Sequence, residues 1–155
     1  MSDPVTAAAG GVVSGGEGSG GAGPAGVQPP APTVDEVSAP YWAALAERRV
    51  VVQRCGACGR QRFPRLPSCP YCATPGGEDV EITGTGTVYS WVRVERALTP
   101  AFDDQVPYTI ATVELDGGGR VLGRLEPASS VVIGLPVAPT FFDHPGWTEL
   151  RFRPA

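Results

Sequence analysis

The chain has 155 residues, a formal net charge of −4, and 12 cationic residues that are all arginine, with no lysine. Nucleic-acid binders carry a basic footprint because phosphate neutralisation dominates their affinity, so this balance argues against a nucleic-acid partner. The length suits one ordinary domain with a small satellite.

Residues 1–34 are rich in glycine and proline, in runs such as Gly15-Gly16-Glu17-Gly18-Ser19-Gly20-Gly21 and Val27-Gln28-Pro29-Pro30-Ala31-Pro32. Apart from a few valines there is nothing to bury, so the segment reads as a disordered tail ending in a stiffer proline-rich spacer. Its start lacks the basic residues and the apolar run of about 7–15 residues that a secretory signal needs. No stretch approaches the roughly 18 apolar residues of a membrane helix. The cytoplasm is the expected compartment, with no membrane partner.

A short N-terminal helix is expected within residues 35–49. Tyr41, Trp42, Leu45 and Ala46 fall at helical spacing. Ser38 is the candidate N-cap, with Pro40 in the first turn, and Arg48 and Arg49 suit the C-terminal end. Two large aromatics on so short a helix either pack on the chain's own core or anchor a partner, a role Tyr and Trp favour.

Residues 50–77 carry the strongest signal. Cys55-Gly56-Ala57-Cys58 and Cys69-Pro70-Tyr71-Cys72 are two CxxC pairs with 10 residues between them, and the chain's 4 cysteines are all in them. Two facing CxxC turns make a tetrahedral sulfur cage, which suits zinc: its filled d shell imposes no competing geometry and thiolates bind it well. The gap is shorter than the usual ribbon spacing of about 15–20 residues. Iron of the rubredoxin type needs the same cage. Two disulfides would need an oxidising compartment, and a redox CxxC fits two clustered pairs less well. Val50 to Arg54 and Arg60 to Phe63 are the flanking strands. So small a ribbon buries little, and the metal must supply most of its folding energy. Zinc on four thiolates is a −2 centre, taking the formal charge from −4 to −6. Arg54, Arg60, Arg62 and Arg65 surround it, either offsetting that charge or contacting a phosphate or carboxylate.

Residues 78–155 read as all-β. Val80 to Ile82 leads into Gly84-Thr85-Gly86, then a long strand from Thr87 to Glu95. Strict alternation puts Val88, Ser90, Val92 and Val94 on one face and Tyr89, Trp91, Arg93 and Glu95 on the other. Ala97 to Pro107 is a loop. Tyr108 to Leu115 and Arg120 to Leu125 are strands joined by the glycine hairpin Asp116–Gly119. Strands over Val137 to Phe142 and Leu150 to Phe152 are joined through Asp143-His144-Pro145-Gly146, where His144 reads as a solvated turn residue. Pro139 restricts its strand to an edge or a bulge. Five strands with a long curved first one suggest a small barrel of the OB type; a two-sheet sandwich competes, and periodicity does not separate them.

Catalytic groups are scarce. His144 is the single histidine, the serines lie in no nucleophile elbow, Gly84-Thr85-Gly86 lacks the flanks of a phosphate loop, and four cysteines leave a zinc ion no open position. No independent catalysis is expected.

One ordered set of motifs is nonetheless specific: Pro40-Tyr41-Trp42, Cys55-x-x-Cys58-Gly59, Phe63-Pro64, Cys69-Pro70-x-Cys72, Gly84-x-Gly86-x-Val88-Tyr89-Ser90-Trp91, Val106-Pro107-Tyr108, Val113-Glu114-Leu115-Asp116 and Ile133-Gly134-x-Pro136-Val137. Over about residues 37–154 it resembles the zinc-ribbon/OB-fold family catalogued as domain-of-unknown-function family thirty-five. The resemblance implies a helix, a rubredoxin-like zinc ribbon and an acyl-CoA-associated OB-fold. It also implies an accessory subunit of a thiolase-like or lipid-transfer-protein-like enzyme, such as a thiolase or a retro-aldolase of steroid side-chain degradation. Trp91, Phe102 and Tyr108 are then candidate channel walls, and Arg93, Arg96 and Arg124 candidate phosphate contacts, since guanidinium forks suit phosphate oxygens. The alternative is a nucleic-acid-binding ribbon and OB module.

Overall fold

The computed structural model describes residues 27–127 and 130–155. The expected tail over residues 1–26 and the link residue Ser129 lie outside them. Residues 27–34 take no helix or strand. One helix, α1 (Ala39–Ala46), precedes eight strands: β1 (Val50–Arg54), β2 (Gln61–Arg62), β3 (Glu78–Ile82), β4 (Gly86–Val94), β5 (Tyr108–Leu115), β6 (Arg120–Leu125), β7 (Pro136–His144) and β8 (Trp147–Pro154). Strands β2-β1-β3 form one sheet, and β4-β5-β6-β8-β7 close into a barrel. Closure decides between the barrel and the sandwich: five strands in this order, with β6 and β8 parallel and the other pairs antiparallel, are an OB barrel. Glu78–Ile82, expected as the start of the barrel segment 78–155, pairs with β1 instead.

The helix is shorter than residues 35–49. Ser38 stands at its N-cap position but makes no cap bond. It donates its amide to Asp35 Oδ1 at 2.7 Å and accepts the Asp35 amide on its hydroxyl at 3.1 Å, so the reciprocal pair closes the preceding turn instead. Ala44 and Leu45 are buried while Ala46 is exposed, so the buried face is centred on Leu45. Arg48 lies beyond the helix in the left-handed region at φ 60°.

The barrel core is made by alternation. Ala111, Val113 and Leu115 on β5 and Val121 and Leu125 on β6 point inward and are buried, with Val137, Leu150 and Phe152 opposite them. Gly123 takes the inward position between Val121 and Leu125 because a Cβ there would meet the Phe152 ring at 2.7 Å. Leu45, Val50 and Val52 join the same cluster, so ribbon, helix and barrel share one core.

Strict alternation fails on β4. Val88 pairs with Val113, but Ser90 pairs with Thr112, leaving Tyr89 as a bulge. One extra residue moves every later side chain to the opposite face. Trp91 and Arg93 therefore share the face of Ala111 and Thr109, while Ser90, Val92 and Val94 share the outer face of Thr112, Ile110 and Tyr108. The expected grouping of Val88 with Ser90, Val92 and Val94 is corrected accordingly, and Val92 is 56% exposed.

The last hairpin is tighter than expected. Strands β7 and β8 run to His144 and from Trp147, leaving only Pro145-Gly146 at the turn, with Gly146 at φ 86°. Beyond Val137, β7 pairs with β8 alone. Pro139 therefore borders an open edge, where a missing N–H costs nothing. Among the described residues, no helix is long and apolar enough to cross a membrane.

The glycine hairpin does more than turn. A Cβ on Gly117 would meet Ile82 Cγ2 at 2.5 Å, and one on Gly119 would meet the Phe63 amide nitrogen at 2.5 Å. The barrel thus presses a side-chain-free hairpin against the ribbon. Gly119, at φ 89°, also needs the left-handed region. Gly119→Ala should lose about 2–3 kcal/mol by urea denaturation, from strain and overpacking together. Gly134→Ala, at φ 85° with nothing within 4 Å, should lose only about 1 kcal/mol, from the dihedral penalty alone. Equal losses would show that the hairpin contact contributes nothing.

Candidate functional site

Two features carry chemistry: the four-cysteine centre and an aromatic groove on the barrel. At the centre, Cys55 closes β1 and Cys58 follows one tight turn later. The Gly59 amide donates to the Cys55 carbonyl at 2.9 Å, and Gly59 sits at φ 71°. The second knuckle repeats this, with the Ala73 amide donating to the Cys69 carbonyl at 2.8 Å and Ala73 at φ 61°. Cys55 and Cys69 are buried, Cys58 and Cys72 exposed.

All four Sγ atoms lie within 4.8 Å of one another. Those of Cys55 and Cys72, and of Cys58 and Cys69, are 3.6 Å apart. A tetrahedral zinc with Zn–S bonds of about 2.3 Å places its sulfurs about 3.8 Å apart, whereas a disulfide needs about 2.0 Å. The close pairs also run between knuckles rather than within one CxxC. The spacing is that of a metal cage and not of two disulfides or a CxxC dithiol. The amides of Cys58 and Ala57 hold the Cys55 thiol below its ordinary range. The Thr74 hydroxyl, 3.4 Å from Cys72 Sγ, and the Thr74 amide bring the Cys72 thiol down to about 6.

The surrounding arginines are largely engaged within the chain. Arg54 pairs with Glu78 at 2.6 Å and Arg65 with Asp79 at 3.0 Å. Arg60 stacks on Tyr71 at 4.5 Å. Arg62, 4% exposed, donates to the Gly76 carbonyl at 2.7 Å and holds the base of the second knuckle.

The groove encloses about 300 Å³. Its floor is the outer face of β5 and β6, through Tyr108, Ile110, Leu122 and Arg124. Phe102, on a 3-10 turn in the β4–β5 loop, closes one side, its ring 6.1 Å from Tyr108. Trp147, at the β7–β8 turn, and Tyr41 and Trp42 of α1 close the other. The Tyr41 and Trp42 rings also serve the chain's own packing. Tyr41 lies 4.9 Å from Phe63 of the ribbon and 5.1 Å from Trp42, which lies 6.0 Å from Trp147. His144 is not a solvated turn residue: it stacks on Trp147 at 4.1 Å and its Nε2 lies 2.8 Å from Glu149.

Of the residues expected at a site, the structure brings Tyr41, Trp42, Phe102, Tyr108 and Arg124 to this groove; Trp91, Arg93 and Arg96 do not line it. Arg93 pairs with Glu95 at 2.7 Å. Ile110, Leu122, Trp147, Glu149 and Arg151 escaped the sequence reading. The signal for Trp147 was present: Pro145-Gly146 between two aromatic-rich runs marks a two-residue hairpin whose flanks belong to strands.

A zinc ribbon beside an OB barrel defines the class of protein. Residues 42–76 match a family described as the ChsH2 rubredoxin-like zinc ribbon domain, and residues 79–142 one described as the ChsH2 C-terminal OB-fold domain. The chain is 32% identical over 111 residues to a DUF35 domain-containing scaffold protein of Methanocaldococcus jannaschii, covering 69% of this chain and 78% of that one. The chain belongs to the DUF35 family. It is 37% identical over 129 residues to a probable enoyl-CoA hydratase alpha subunit of Thermomonospora curvata, covering 81% of this chain but only 40% of that protein. Among solved structures, a chain of an Ltp2-ChsH2(DUF35) aldolase matches with a TM-score of 0.72 and 36% identity, over 80% of this chain and 98% of that one.

The ribbon identity and the sulfur geometry together make the cage a zinc site, closed by four protein ligands and structural in role. Cys69→Ser should leave well under one zinc per chain by elemental analysis, and should lower the unfolding midpoint by roughly 10 °C or more, since the metal's binding energy is folding energy for such a ribbon. A variant with full zinc content and unchanged stability would refute the closed cage.

Proposed function

We propose that this chain is a non-catalytic accessory subunit that binds or positions an acyl-CoA and stabilises a thiolase-fold partner, either a thiolase or a retro-aldolase of steroid or lipid side-chain degradation. The observation that carries it is the match, over 80% of this chain and 98% of the other, to a chain of the Ltp2-ChsH2(DUF35) aldolase. The closed zinc cage offers no position for substrate or water, and His144 is committed to Glu149 and Trp147. Chemistry therefore belongs to the partner. In this reading Tyr41 and Trp42, half-buried on the groove wall, belong to the ligand groove. Arg96, with no carboxylate within 4 Å among the described residues, is the candidate phosphate contact. A reducing compartment such as the cytoplasm suits four cysteines that must stay reduced to hold zinc.

The nucleic-acid reading has one observation in its favour: the groove lies on the strand face and loops that OB-folds use for oligonucleotides. The groove's arginines are paired with carboxylates, however, and the chain is acidic, which removes the electrostatic attraction such ligands require.

The reading predicts that co-expression with a thiolase-type protein from the same organism yields a stable complex on size exclusion, and that the partner's soluble yield falls when this chain is omitted. Separate elution with unchanged partner yield and activity would overturn it.

A further inference from the structure

The groove carries information about its ligand that no relative's description supplies. It lies where strands β5 and β6 meet the β4–β5 loop and the β7–β8 turn, the usual ligand face of an OB barrel. Its walls are aromatic, and its volume of about 300 Å³ is within the range of small-molecule sites.

The electrostatics select among ligands. Arg124 has its Nε 2.6 Å from Glu126 and donates Nη1 to Gln105 at 2.7 Å. Arg151 donates Nε and Nη2 to Glu149 at 3.0 and 2.9 Å and approaches Glu126 at 3.3 Å. Both cations of the groove are thus already neutralised. Glu149 itself stands on the wall, so a phosphate or carboxylate entering would meet a carboxylate rather than a free guanidinium. Among the described residues, the Tyr41 hydroxyl and the indole N–H groups of Trp42 and Trp147 have no hydrogen-bond partner within the chain. Such groups find a partner when an apolar body covers them, and a carbonyl or hydroxyl oxygen supplies one without charge.

We infer that the groove binds the uncharged, oxygen-bearing hydrocarbon end of an acyl thioester, and that the nucleotide phosphates are left outside it. This inference rests on the acyl-CoA reading for the identity of the thioester. Apolar burial against Phe102, Ile110 and Leu122 supplies the affinity, and the tyrosine and tryptophan tips orient the oxygen. The isolated chain then contributes the acyl subsite alone, and the phosphates find their cations, Arg96 among them, only in the assembled complex.

Three probes test this on the full-length zinc-loaded chain: the coenzyme A thioester of a keto-substituted cyclohexanecarboxylic acid, its N-acetylcysteamine thioester, and unacylated coenzyme A. The readout is tryptophan fluorescence in a Trp91→Phe background, where Trp42 and Trp147 alone report and both line the groove. Both thioesters should quench with midpoints within about threefold of each other, because the paired cations of the groove gain nothing from a phosphate. Unacylated coenzyme A should not quench. Leu122, 66% exposed, can be changed without disturbing the core; Leu122→Glu should weaken both thioesters about tenfold, by replacing apolar wall with charge. Arg96→Ala should change neither midpoint.

Quenching by unacylated coenzyme A, or a nucleotide-dependent gain lost in Arg96→Ala, would overturn the inference in favour of a nucleotide site. Quenching by single-stranded RNA would overturn it in favour of the oligonucleotide reading. No quenching by either thioester would remove the subsite. Loss of partner co-purification in Leu122→Glu would make the groove a protein interface and overturn the inference as well. If the unaltered chain fails to co-purify with any partner while both thioesters bind, the accessory role falls and the acyl subsite stands.

Discussion

The structure depends first on four thiolates drawn to one centre. The ribbon sheet has only three short strands, one of them just two residues long, and cannot fold on burial alone. Zinc fixes the two knuckles, and the knuckles fix β1 and β2 in register. That register delivers Val50 and Val52 to the core shared with Leu45 and the barrel. It also presents Gln61 and Phe63 to the glycine hairpin. The cysteines do not line the groove, yet the wall that Tyr41 and Trp42 give it leans on Phe63, which follows the ribbon strand β2.

The second constraint is electrostatic. The parallel pairing of β6 with β8 sets Arg124 directly beside Arg151, and like charges in register are unfavourable. Glu126 approaches both guanidinium groups, and Glu149 binds Arg151 from the other side while also holding His144. Repulsion at this short closure of the barrel becomes a connected ion network. The same network leaves the groove without a free cation. An arrangement that stabilises the closure therefore also sets the charge of the groove wall.

The zinc ligands were legible because CxxC spacing is a local property: two thiolates three residues apart converge whatever the rest of the chain does. The strands after Gly76-Gly77 were legible from alternation, and the hairpin at Asp116–Gly119 from its glycines. The face of Trp91 was not, because the bulge at Tyr89 arises only when β4 must serve β5 and β7 at once. His144 read as a solvated turn residue because nothing local announces that Trp147 will stack on it.

The sequence by itself determined the four-cysteine cage, the ribbon order, the β-class of the remainder and the scarcity of catalytic groups. Each follows from composition or from spacings of a few residues, where local geometry suffices. Only the tertiary structure decided that five strands close into a barrel, that Phe102, Tyr108 and Arg124 meet Tyr41, Trp42 and Trp147, and that the groove's arginines are neutralised. These depend on pairings between segments up to about a hundred residues apart, such as Trp42 with Trp147. Such pairings are set by which faces bury together and are not written in either segment alone.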